Sequence, residues 1–144
     1  MQNQKGFTLM ELIVTIAIIG ILSAIVMFSV TQYINKSKDA NIVGNLAVLV
    51  SSGEVYYNSN QNSTGTGYEG FCNSSVVVNT LSEIPKSSGT LDCGTGLCCI
   101  DSNDKWVACA QKFVDDRYAY CVDSRGVKRE IDNTDCTASL TECP

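Results

Sequence analysis

Lys5-Gly6-Phe7-Thr8-Leu9-Met10-Glu11-Leu12-Ile13-Val14-Thr15-Ile16-Ala17-Ile18-Ile19-Gly20-Ile21-Leu22 stands near the start of the chain, and its apolar run continues to Val30. From Leu12 to Val30 there are 19 residues without a single charge. As a helix rising ~1.5 Å per residue they reach ~28 Å, close to the ~30 Å hydrocarbon core of a bilayer. The run predicts one membrane-spanning helix. Its Ile and Val content costs little there, because in hydrocarbon the backbone must satisfy its own hydrogen bonds. The six residues ahead of Phe7 carry only Lys5, too little for a secretory signal, and no small-x-small cleavage pattern follows the run. The apolar segment is therefore expected to stay in the mature protein.

Glu11 is the anomaly of this stretch. On insertion scales an acidic residue costs roughly 2.5 to 3.5 kcal/mol at the centre of a membrane helix, so a partner is expected. If the chain is cut after Gly6, the new α-amino group of Phe7 lies four residues from Glu11, and its reference pKa of about 7.7 to 8.0 makes it a cation. The pair could close within one chain, or between the Phe7 amine of one copy and Glu11 of the next, which would set the register of packed helices. The plain alternative is a carboxylate in the headgroup layer, favoured by the dipole at a helix N-terminus.

The stretch from Lys5 to Leu22 resembles the type IV prepilin signature, with cleavage site, acidic residue and apolar run all at the family's spacing. The resemblance covers roughly the first quarter of the chain. It implies removal of residues 1–6 by a prepilin peptidase cutting after Gly6, methylation of the Phe7 amine by the same enzyme, and a role for Glu11 in recruiting subunits to a filament. Phe28 stands where many family members carry proline. Only Gly20 is left to weaken the helix there, by about 1 kcal/mol relative to Ala.

Beyond Val30 the pattern becomes amphipathic. Ile42, Leu46, Leu49, Gly53 and Tyr56 follow one another in steps of four and three, the stripe of a helix packed on a core. One helix is expected from Phe7 to Asn58: 7–30 in the membrane or filament core, 31–58 against a head. Ser59 to Gly70 reads as a solvent-facing loop. Strands are expected at Val76–Val78, Lys105–Val114, Arg117–Val122 and Val127–Ile131, with Asp123-Ser124-Arg125-Gly126 turning the last pair. The fold class is thus α+β: a long N-terminal helix on a small antiparallel sheet, with residues 59–144 as a cysteine-rich head. It resembles the ladle-shaped pilin fold, and Tyr118 to Val127 resembles the terminal hairpin of certain cysteine-containing pilins.

All eight cysteines, Cys72, Cys93, Cys98, Cys99, Cys109, Cys121, Cys136 and Cys143, fall within the last 73 residues. That density belongs to a disulfide-stapled domain matured in an oxidising compartment. No C-x-x-C pair occurs and histidine is absent, so four disulfides account for the cysteines better than a metal site. Adjacent Cys98 and Cys99 are expected to bond to different partners, and spacing does not choose among the remaining connectivities.

Several chemistries lack their residues. Without histidine no Ser or Cys has the usual base, so nucleophilic catalysis is not expected. The Gly-Thr-Gly pieces at 65–67 and 94–96 lack the strand-loop-helix setting of a phosphate cradle. Asp115-Asp116 reads as a turn and Lys128-Arg129 as a solvated strand face. A net charge of -5 argues against a nucleic-acid surface. No cofactor or metal is expected. The Asn62-Ser63-Thr64 and Asn73-Ser74-Ser75 triplets fit the glycosylation pattern, as Ser/Asn-rich loops often do.

The resemblance implies a pilin assembled into an extracellular type IV filament for adhesion, motility or DNA uptake, with a pseudopilin of a secretion or competence system as the alternative. The partners implied are further copies of the chain, the prepilin peptidase, the assembly machinery, and the bilayer before assembly. The precursor is then a single-pass inner-membrane protein with its head outside the cytoplasm.

Overall fold

The computed structural model describes residues 6–63, 65, 67–85 and 97–144. In chain order these form helix α1 (Leu9–Ser63), a 3-10 turn (Phe71–Asn73), helix α2 (Ser75–Ser82) and strands β1 (Leu97–Asp101), β2 (Trp106–Gln111), β3 (Tyr118–Asp123) and β4 (Lys128–Asp132), then a second 3-10 turn (Asn133–Asp135). The strands form one antiparallel sheet in the order β1-β2-β3-β4. The chain divides after Ile34 into an N-terminal helical unit and a head that begins at Asn35.

Within the head, the stripe on α1 is core. Ile42, Leu46 and Leu49 are fully buried and cluster with Trp106, Ala108 and Ala110 of β2 and Val122 of β3. Gly53 continues the stripe for a steric reason: a Cβ there would lie 2.5 Å from Nε1 of Trp106. The missing side chain lets the indole lie against the helix backbone. Below the stripe, Asp39 accepts the backbone N–H of Phe113 at 2.6 Å, and the Lys38 ammonium sits 4.6 Å from the Phe113 ring centroid. These contacts tie the β2–β3 connection to the helix.

The opposite face of the sheet is also covered. Cys98, Val107, Cys109, Ala119, Cys121 and Ile131 meet Leu140, Cys136 and Cys143 of the C-terminal segment. Every residue of β2 is therefore buried, where an antiparallel strand with one wet face would alternate.

Three expectations need correction. Val76–Val78 is helical, in α2, and not a strand. Ser74 caps that helix by accepting the Val77 N–H at 3.4 Å, and Val77, Leu81 and Ile84 turn inward at steps of four and three, which strand alternation cannot do. Helix α1 continues past Asn58 to Ser63; the Asn58 amide and Ser59 hydroxyl fold back onto the carbonyls of Glu54 and Tyr56, so polar residues that signal a loop extend the helix instead. Strand β1 was not expected at all. Its Leu97-Cys98-Cys99-Ile100 run is held by a tight connection, Ser102 N–H to Lys105 carbonyl at 2.8 Å, that pairs it with β2.

Candidate functional site

At the start of α1, Gly6, Phe7 and Thr8 are non-helical and Leu9 is the first helical residue. The Gly6–Phe7 bond therefore lies outside the helix, and Phe7 is 75% exposed. Thr8 is the N-cap. Its carbonyl accepts the Leu12 N–H at 3.2 Å, and its hydroxyl accepts the Glu11 N–H at 3.3 Å. In return Glu11 Oε2 accepts the Thr8 N–H at 2.9 Å and the Thr8 hydroxyl at 2.8 Å. This is a reciprocal capping box, Thr at N-cap and Glu at N3. Thr8, not a cation, is the partner of Glu11 here, a pairing that the T-x-x-E spacing signals.

From Leu9 to Val30 every large apolar side chain is exposed, Val30 least at 47% and Met27 most at 76%. An 18-residue window reaches a mean hydropathy of 2.7, so by length and composition this helix suffices to cross a membrane. Unbroken apolar surface on this scale calls for lipid or protein cover.

In the head, Cys98, Cys109 and Cys121 form a row across β1, β2 and β3, each directly opposite the next. Cys109 is bonded to Cys136 and Cys121 to Cys143, while Cys99, on the other face of β1, is bonded to Cys72. Cys98 is disulfide-bonded as well, and Cys93 lies outside the described residues. Adjacent Cys98 and Cys99 point to opposite faces because a strand alternates. The sulfurs of Cys98, Cys109 and Cys136 lie within 4.8 Å of one another; disulfide bonding of all three accounts for that proximity, and it removes the thiolates a soft metal would need.

Asp123, read in the sequence only as a turn residue, is 1% exposed. Its carboxylate accepts the N–H groups of Arg125, Val127 and Cys143, at 3.0, 3.2 and 3.1 Å, and the Arg125 guanidinium at 2.7 Å. Arg125 also donates to the Cys143 carbonyl at 2.7 Å. One buried charge thus closes the β3–β4 hairpin and fastens the C-terminal segment beside the Cys121–Cys143 bond. Asp115 is gripped by Arg117 through two hydrogen bonds, 3.0 and 2.7 Å, which hold its carboxyl below the usual range. The Asp115-Asp116 pair is a turn.

Residues 1–27 match the prokaryotic N-terminal methylation motif. Over 47 residues the chain is 55% identical to fimbrial protein Q and, over the same length, 53% identical to the type IV major alpha-pilin, both of Moraxella bovis. The match covers 33% of this chain and 30% of each relative, so the chain is aligned to less than a third of their length. No solved structure matches. Residues 1–27 are thus similar to the methylation motif, and the fold of the chain is a long helix with a disulfide-bonded antiparallel sheet.

Proposed function

We propose that this chain is a pilin, a structural subunit that assembles through α1 into an extracellular type IV filament. The observation that carries this reading is the exposed apolar helix from Leu9 to Val30, most of which lies within the match to the methylation motif over residues 1–27. Before assembly the bilayer covers that surface; afterwards the same surface of other copies does. A prepilin peptidase removes residues 1–6 and methylates Phe7, whose amine then lies one residue ahead of the capping Thr8. Glu11 exchanges its cap for the Phe7 amine of a neighbouring copy. Losing the cap costs about 1 kcal/mol, whereas a carboxylate left in the bundle without a cationic partner would cost about 3 to 5 kcal/mol. Membrane assembly machinery drives extraction from the bilayer. The head contributes durability: disulfides and a doubly covered sheet resist unfolding outside the cell, where refolding help is absent.

The test is electron microscopy of cells producing the chain together with a type IV assembly system. Surface filaments labelled by antibody to the head are expected. Short periplasmic fibres alone would indicate a pseudopilin, and none at all would remove the filament reading.

A further inference from the structure

Among the described residues, strand β4 is an open edge of the sheet. The other edge, β1, is flanked by the 3-10 turn, through the Cys72–Cys99 bond and the Cys72 N–H on the Asp101 carboxylate at 2.6 Å. At β4 only Ile131 is buried, and Lys128, Arg129, Glu130 and Asp132 are exposed. The Asn133 N–H bonds the Arg117 carbonyl and the Asp123 N–H bonds the Val127 carbonyl. In an antiparallel ladder this alternation turns Val127, Arg129, Ile131 and Asn133 toward β3. The backbone N–H and C=O groups of Lys128, Glu130 and Asp132 therefore face outward. A groove of about 280 Å³ is lined by Arg129, Glu130, Asp132 and Pro144.

Charges on an edge ordinarily guard it against pairing. Here their signs are self-complementary. Lys128-Arg129-Glu130-Ile131-Asp132, laid antiparallel on itself, sets Lys128 opposite Asp132 twice. Among the described residues neither side chain has an ion-pair partner of its own. The central Glu130 would meet its own copy, but each Glu130 is already neutralised by Lys112 at 2.6 Å. The residues placed opposite one another by charge, 128 with 132 and 130 with 130, are the ones whose backbone groups face outward. A slip of two residues one way opposes Glu130 to Asp132; the other way, it leaves Asp132 facing the turn at Gly126.

We propose that β4 pairs with β4 of a second copy about a two-fold axis at Glu130, joining two heads into one continuous sheet. Such an isologous contact closes at two copies. It is a lateral link between heads, distinct from the polymerising contact of α1, and does not rest on the filament reading.

Sedimentation of the full chain in detergent, with Lys128→Glu and Asp132→Lys variants whose disulfides are verified by mass, tests this. The unsubstituted chain is expected to self-associate. Each single reversal should weaken association by at least about tenfold, because it sets like charges in opposition. An equimolar mixture of the two variants should recover it, since both Lys–acid pairs re-form between unlike chains. Monomeric unsubstituted chain, association unaffected by either reversal, or no recovery on mixing would each overturn the proposal.

Discussion

Cys109 and Cys121 stand directly opposite each other on β2 and β3, yet each is bonded to the C-terminal segment, Cys109 to Cys136 and Cys121 to Cys143. The two bonds act as rungs that strap this segment across the outer face of the sheet. Strand β2 is thereby buried on both sides in a head too small to supply two ordinary hydrophobic cores.

Replacing Cys109 and Cys136 together by Ser should lower stability by about 2 to 4 kcal/mol, the usual contribution of a bond closing a loop of this size. Urea unfolding of the full chain in detergent measures it. An unchanged midpoint would mean that side-chain packing alone holds the segment.

Two glycines of α1 should respond in opposite senses. Gly44→Ala meets nothing within 4 Å and gains helix propensity, so it should stabilise by up to about 1 kcal/mol. Gly53→Ala drives a methyl into the Trp106 indole, and overpacking of this kind costs about 1 to 3 kcal/mol. Equal effects at the two positions would show that the indole does not rest on the helix.

Tyr68 is expected to titrate late. Its buried phenol donates to Glu54 Oε1 at 3.1 Å, and burial first, then that carboxylate, pushes its pKa up to about 12. The folded value lies above the unfolded value, so this stabilisation is complete below about pH 10 and is lost as pH rises through about 12. A difference titration of phenolate absorbance between the chain and its Tyr68→Phe variant checks this. Glu54→Gln should move the titration toward lower pH.

Much of this was readable in the residues, for reasons that differ by element. The apolar run and the α1 stripe carry strong periods, and the β3–β4 hairpin carries its turn residues. Strand β1 is hard to see in the sequence because two of its five residues, Cys98 and Cys99, read as disulfide partners before they read as strand positions. The Val76–Val78 run has the β-branched composition of a strand, and the cap at Ser74 makes it helical. Asp123 gave no sign of its part as a buried hub, since its acceptor role depends on Cys143, distant in sequence and brought near only by folding. Around Glu11 the sequence supplied the residues, and the geometry added Thr8 as the group that holds the carboxylate in the unassembled chain.

Glu11 can be separated into cap and charge. Gln at N3 still closes a capping box, so Glu11→Gln should keep the start of α1 helical yet fail to enter filaments, because it cannot pair with an amine. Counting variant chains in sheared surface fractions reads this out. Normal incorporation of Gln would leave Glu11 with the cap as its only task.

The most direct measurement is the intact mass of the chain purified from sheared surface filaments. The account predicts a polypeptide beginning at Phe7 with one added methyl group. A chain still carrying residues 1–6, or filaments from which it is absent, would contradict it.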